Sequence, residues 1–127
     1  MQIVLSRRIC KREFGGKITA EDVAVLRRTA ILTLATSLSG SGLPTGTRLL
    51  KTYGTSKMGP KRVIYLLAVA ESDLFLLFYR GKNDPIGSNA SPANPKFRAE
   101  LQKYLTLLEE DILAGEVETI DFDRKNG

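Results

Sequence analysis

The chain has 127 residues, of which 43% are hydrophobic and 26% charged, values typical of one folded domain and not of a disordered segment. It contains no histidine and a single cysteine, Cys10, which excludes a Ser-His-Asp triad, a histidine metal site and an intramolecular disulfide. The net charge of +5 favours an anionic partner, and the lack of a long apolar run or of a signal-peptide pattern predicts a cytoplasmic protein without a membrane span.

The charge is unevenly distributed along the chain. Residues 1–103 hold 17 basic and 7 acidic side chains, a net charge of +10, whereas residues 104–127 hold 2 and 7, a net charge of −5. No acid occurs between Asp22 and Glu71, although that segment contains seven bases. Such a segment can bind a phosphate backbone, and the alternative is a solvent-facing basic surface without a partner.

Two elements are predicted in the first forty residues. Apolar residues 3–5 predict a short strand, which a basic stretch follows. Thr19 and Asp22 have the spacing of a capping box at the start of a helix. Apolar residues at three- and four-residue intervals continue that helix to Leu38, where a run of serine and glycine ends it.

The middle of the chain predicts strands. Residues 48–51 indicate a strand and residues 54–60 a loop rich in glycine and lysine. Apolar, β-branched and aromatic residues then occupy 62–70 and 74–79, with three polar residues between them. This pattern is typical of a β-hairpin.

A long helix is predicted in the last third of the chain. Asn94 is a good N-cap with Pro95 at the first helical position, and Gly115 is a typical terminator. Residues 116–122 predict a last short strand, and residues 123–127 a frayed tail. The whole order predicts one α+β domain over residues 1–127. Its small antiparallel or mixed sheet of about four strands packs against two to three helices.

Basic residues converge at one edge of this predicted sheet. Lys61 and Arg62 open one strand of the hairpin, while Arg80 and Lys82 close the other, so we expect the four to lie together with Tyr79 beside them. Phosphate is the simplest compensation for their mutual repulsion. Arginine stabilises charge on a phosphoryl group, and a lysine with a lowered pKa serves as acid or base. Cleavage of RNA by its own 2′-hydroxyl needs only these roles, and the alternative is ordinary solvent-facing strand ends.

Other catalytic chemistries have little support in the sequence. Phosphate-binding and dinucleotide-binding glycine motifs are absent, and Cys10 has no histidine base. The acids of the last helix and tail are interpreted as a solubilising or partner-binding surface. We therefore expect no metal and no small-molecule cofactor.

The order of several short motifs resembles the RelE/HigB-like toxins of bacterial type II toxin–antitoxin modules, in the RelE/ParE superfamily. Relatives have a similar basic strand, a glycine-rich basic loop, an Arg-(Val/Ile)-Ile-Tyr-like strand and a Lys-Asn-Glu-like end. The resemblance covers roughly residues 40–122. The motifs are Gly46–Lys51, Gly59–Tyr65, Leu74–Leu77, Gly81–Asp84 and Leu107–Val117.

The resemblance implies a RelE-like fold and a toxin that cuts messenger RNA on the ribosome and is neutralised by a cognate antitoxin, a helix-turn-helix or acidic protein. Arg80 stands where many relatives have tyrosine, and Pro60 replaces a glycine. The residues predicted to be catalytic are Lys51, Arg62, Arg80 and Lys82. The residues predicted to bind nucleic acid are Arg48, Lys57, Lys61 and Tyr79.

Two other functions stay open at this point. A ParE-like relative would inhibit DNA gyrase instead of cutting RNA. A module that binds nucleic acid or protein without catalysis would show salt-sensitive binding and no cleavage.

Overall fold

A computed structural model describes residues 2–32, 35–38 and 42–121 of the chain. The strands are β1 (Gln2–Ser6), β2 (Thr36–Leu38), β3 (Thr47–Ser56), β4 (Gly59–Ala68), β5 (Asp73–Gly81) and β6 (Val117–Asp121). The helices are α1 (Arg7–Phe14), α2 (Ala20–Thr29), α3 (Pro85–Ser88) and α4 (Pro95–Ala114). The predicted tail, residues 123–127, lies outside the described residues, as does residue 122 of the predicted last strand.

The six strands form one mixed sheet in the order β2-β3-β4-β5-β1-β6. The β1–β5 pair is parallel, and the other four pairs are antiparallel. The α+β class is therefore confirmed, whereas the expected counts of about four strands and two to three helices were wrong for the described residues. Within the same residues, no helix combines the length and the apolar character needed to cross a membrane.

Helices cover both faces of the sheet, and these two faces are named here after α2 and α4. Leu26 of α2 packs in one buried cluster with Leu50 of β3. Phe97 of α4 packs in a second cluster with Leu49, the preceding residue of β3. Because successive side chains of a strand point to opposite faces, this alternation assigns every other residue of β3 to one helix layer.

The predicted helix starts are confirmed. The hydroxyl of Thr19 accepts a hydrogen bond from the Asp22 amide (3.1 Å), and the Asp22 carboxylate accepts one from the Thr19 amide (3.1 Å). Asn94 caps α4 with Pro95 in its first turn, and Gly115 ends the helix in the left-handed conformation with φ 72°. Local sequence signals determine both helix starts because each depends on neighbouring residues alone.

The end predicted for α2 was wrong, since the helix stops at Thr29 and not at Leu38. The buried hydroxyl of Tyr65 on β4 donates to the carbonyl oxygen of Leu26 (3.1 Å), and the Thr29 hydroxyl donates to the same oxygen (3.1 Å). The Leu26 carbonyl in the last turn of α2 thus accepts hydrogen bonds both from its own helix end and from the sheet. Leu38 instead pairs with Leu49 as part of β2.

The loop predicted over residues 54–60 was also wrong. β3 continues to Ser56, and only Lys57 and Met58 separate it from β4. Gly54 belongs to the strand, where it pairs with Lys61. The position suits glycine because α2 approaches it closely: a β-carbon there would lie 2.6 Å from the Thr29 side chain. The longer hairpin places Tyr53 within the ladder.

The basic stretch after β1 forms α1, whose charges are partly paired with the acids near the end of α4. The Asp111 carboxylate accepts hydrogen bonds from the Ser6 hydroxyl (2.6 Å) and the Arg8 guanidinium (2.7 Å), and Arg7 pairs with Glu116 (3.0 Å). Burial raises the pKa of Asp111, but these bonds outweigh it and hold the pKa below its usual value. The interpretation of the C-terminal acids as a solvent or partner surface was therefore wrong for Asp111, which is buried.

Candidate nucleic-acid interface

Three residues of β3 and β4 form a cationic and aromatic group on the α4 face, called here the Tyr53 cluster: Lys51, Tyr53 and Arg62. The tyrosine is exposed, and the two cations are half-buried. Lys51 and Tyr53 share a face because they are two residues apart in β3, and Arg62 is the cross-strand partner of Tyr53. The Arg62 guanidinium carbon lies 4.5 Å from the centre of the Tyr53 ring, and Lys51 Nζ lies 5.7 Å from it. Tyr53 is 54% exposed.

The two cations of the cluster have no acidic partner within the described part of the chain. Neither Lys51 nor Arg62 forms an ion pair there, and each side chain lies over the Tyr53 ring. A ring face attracts cations through its quadrupole but does not neutralise them. Two positive charges beside one aromatic ring therefore have the chemistry to attract an anion that also has a flat apolar part.

Arg80 lies directly across from Arg62 on β5, yet it belongs to a second group, called here the Glu13 network: Glu13, Arg80, Asp84 and Tyr104. The Arg80 guanidinium donates to both carboxylate oxygens of Glu13 (2.7 and 2.8 Å) and to Asp84 (3.1 Å). The Tyr104 hydroxyl donates to Glu13, whose side chain is 0% exposed. The structure thus does not leave Arg80 free for the catalytic role predicted for it, because its charge is already paired.

The pKa directions in this network agree with its geometry. Burial lowers the pKa of Arg80, but the bond and attraction to Glu13 outweigh burial and raise it. Burial raises the pKa of Asp84, and the Ile86 amide and Arg80 outweigh this, so the net shift is downward. Burial and the bond to Glu13 raise the pKa of Tyr104 to about 12. These pKa shifts favour the charged forms of Arg80 and Asp84 and the neutral form of Tyr104.

The sheet separates Lys61 from Arg62, which the sequence placed in one group. The two are successive residues of β4, so Lys61 lies on the α2 face, with its Nζ 5.2 Å from the Tyr79 ring centre. Tyr79 is 5% exposed, and its hydroxyl donates to Asp22 (3.1 Å). The expected gathering of all four strand-end cations was therefore wrong, and Tyr79 does not offer a free ring to a nucleobase.

The three remaining predicted residues are not members of the Tyr53 cluster. Arg48 pairs with Leu67, about 17 Å along β3 from the cluster's tyrosine at the usual rise per residue, and on the other face. Lys57 is exposed in the β3–β4 turn, where its amide donates to Glu21 (2.8 Å). Lys82 is exposed just after β5 and has no ion pair among the described residues.

Sequence reasoning missed four residues of these groups as site residues, namely Tyr53, Glu13, Asp84 and Tyr104, and the first two had a signal in the sequence. Tyr53 follows Lys51 at strand spacing, a signal that was hidden because the neighbouring Gly54 was assigned to a loop. Glu13 is the one acid in the first 20 residues, directly after a basic run, and that isolation was the available signal. Its partner Arg80 is 67 residues away, so local patterns could not pair them.

Cys10 and the acidic residues show no further reactive site in the described residues. Burial and then the nearby Glu118 raise the pKa of Cys10 to about 12, which keeps the thiol protonated. The thiol is free and lines a cleft of about 520 Å³ with Arg7, Lys17 and Glu116. No group of three or more His, Cys, Asp or Glu side chains in residues 2–32, 35–38 and 42–121 is arranged to hold a metal ion.

Comparisons with protein-family models, with curated proteins and with solved structures found no match for this chain. The function must therefore be argued from the Tyr53 cluster and from the motif order of the sequence.

Proposed function

We propose that this protein is the toxin component of a type II toxin–antitoxin module and a ribosome-associated endoribonuclease that cuts messenger RNA. In this proposal a cognate antitoxin, a helix-turn-helix or acidic protein, neutralises it, and translation stops when it is free. The observation that supports it best is the Tyr53 cluster, in which two cations without an acidic partner among the described residues lie against an exposed aromatic ring. Such a combination suits an RNA nucleotide, which has both a phosphate and an aromatic base.

The motif order supports the same proposal. Four of the motifs that resemble RelE/HigB-like toxins lie in or directly beside β3, β4 and β5. Two of them, Gly46–Lys51 and Gly59–Tyr65, contain the two cations of the cluster. The resemblance and the cation geometry therefore coincide on the same strands.

The chemistry proposed for the site is an internal transesterification of RNA. The 2′-oxygen attacks the adjacent phosphorus, the bond from phosphorus to the 5′-oxygen breaks, and a 2′,3′-cyclic phosphate and a 5′-hydroxyl result. The Arg62 guanidinium stabilises the added negative charge on the phosphate oxygens. The Lys51 ammonium gives a proton to the departing 5′-oxygen, and the 2′-hydroxyl proton passes to water.

The test is message cleavage by the purified chain on programmed ribosomes. We expect the wild type to cut the message and Arg62→Ala or Lys51→Ala to reduce the rate at least about 100-fold, the usual size of one electrostatic contribution. Arg48→Ala is the matched control, because it removes one positive charge from β3 at a position on the other face of the sheet. A message with 2′-deoxy substitution at the cut site should resist cleavage.

The same assay separates the other functions. If the wild type leaves messages intact both on ribosomes and in growing cells, the ribonuclease proposal fails. Arrest of replication with intact messages would instead favour a gyrase inhibitor. Salt-sensitive binding to RNA without cleavage would favour a non-catalytic module.

A further inference from the structure

Tyr53 is unusual among the aromatic residues of the sheet. Tyr65, Phe78 and Tyr79 are each at most 5% exposed, whereas Tyr53 is 54% exposed. The Arg62 guanidinium packs on its ring, so a flat charged group and a flat apolar group lie in contact with each other. This arrangement serves neither the buried core nor an ion pair within the described residues.

A simple anion site would need only the two cations. Lys51 and Arg62 could hold a phosphate without a ring between them, and a smaller side chain at position 53 would expose less apolar surface to water. A ring in contact with both cations adds a surface for a planar group. Nucleobases stack on tyrosine rings and on guanidinium planes.

We propose that the Tyr53–Arg62 pair is a stacking platform for one unpaired base of single-stranded RNA, with the adjoining phosphate bound by Lys51. This inference rests on the proposed function and specifies its substrate as a strand whose bases are unstacked. Bases inside a duplex are covered on both faces by their neighbours, so a duplex offers this platform only its backbone.

A tryptophan reporter tests the platform directly. The chain contains no tryptophan, so Tyr53→Trp introduces a single fluorophore at the platform. Val69→Trp is the matched control, because Val69 has a similar exposure (48%) and lies beyond the far end of β4. The probe is a single-stranded 2′-O-methyl RNA, which cannot be cut because its 2′-oxygen is blocked. Stacking and cleavage are then measured separately.

We expect the probe to quench the Tyr53→Trp emission at low salt and to leave the Val69→Trp emission unchanged. A duplex of the same sequence, or a strand of the same length whose central nucleotides lack bases, should quench at least several-fold less. No quenching, or equal quenching by the duplex or abasic probe or at Val69→Trp, would overturn the platform.

Affinities of tyrosine variants provide a second measurement. Tyr53→Ala should bind the 2′-O-methyl strand about 5- to 150-fold more weakly than wild type, whereas Tyr53→Phe should bind within about 2-fold, since stacking needs the ring and not the hydroxyl. Unchanged affinity in Tyr53→Ala would contradict the platform. Quenching without message cleavage would overturn the proposed ribonuclease and leave the platform standing, and cleavage without quenching would do the reverse.

Discussion

Arg62 and Arg80 face each other on neighbouring strands, but the fold uses them in opposite ways. Arg62 packs on the exposed ring of Tyr53 and has no acidic partner among the described residues. Arg80 is held by both oxygens of the buried Glu13 and by Asp84. Two arginines at directly opposed positions would repel each other, and the divergence of their contacts relieves this repulsion.

The difference shows that the partner of a cation, and not its position in a motif, determines whether it is available to a ligand. The Glu13 network joins α1, β5 and α4 through one buried carboxylate. Burying the charge of Glu13 is unfavourable unless hydrogen bonds satisfy it, and Arg80 and Tyr104 supply them. Arg62 has no such task, so its charge can bind an external anion.

The strongest way to break this contrast is Glu13→Ala, which leaves the partly buried Arg80 with Asp84 as its only acidic partner in the described chain. We expect the free energy of unfolding to fall by about 3 to 5 kcal/mol, the usual effect of breaking a buried ion pair. Urea unfolding followed by circular dichroism measures it. Arg62→Ala should lose about 1 kcal/mol or less. Equal losses in the two variants would show that the two arginines do not differ as described.

Removing one hydroxyl from Tyr104 or from Tyr53 compares the Glu13 network with the Tyr53 cluster. Tyr104→Phe removes a group that donates to Glu13 and accepts from Arg80, so we expect a loss of about 1.5 to 3 kcal/mol. Tyr53→Phe should change stability by less than about 0.5 kcal/mol, because its hydroxyl has no hydrogen-bond partner among the described residues and Tyr53 is exposed. Thermal unfolding of both variants checks the pair. A stable Tyr104→Phe protein would argue against the network as a structural element.

Local signals in the sequence were enough for the parts of the fold that depend on neighbouring residues. The capping box of Thr19 and Asp22 and the Asn94–Pro95 start of α4 were predicted because each is complete within four residues. The end of α2 was not predicted. The helix end contacts the sheet, where Tyr65 of β4 donates to the Leu26 carbonyl, 39 residues earlier in the chain. Periodicity alone continued that helix through apolar residues that instead lead into β2.

The candidate site divides in the same way. Lys51 and Arg62 were named from the sequence, and the hairpin register brings them to one ring. The opposite faces of Lys61 and Arg62 follow from side-chain alternation, because both lie inside β4, which begins at Gly59 and not at residue 62. The sequence could not show that Arg80 is neutralised, because Glu13 lies on an element that was not predicted. The tertiary structure determines which acid a basic side chain contacts, and the positions of basic residues in the sequence do not show it.

Acid pH gives the smallest test of the contrast. The pKa of Asp84 is lowered in the folded protein, so its contribution to stability is present above the unfolded value of about 3.9 and is lost as the pH falls through the lower folded value. Asp84→Asn should therefore cost under about 1 kcal/mol at pH 7, because the pair with Arg80 is partly exposed, and should flatten the acid limb of unfolding curves recorded from pH 5 down to pH 2. Lys51→Ala should leave the shape of that limb unchanged, because no carboxylate pairs with Lys51 in the described residues. If Lys51→Ala alters the limb as much as Asp84→Asn does, an acid is paired with the Tyr53 cluster and its cations are not free to bind phosphate.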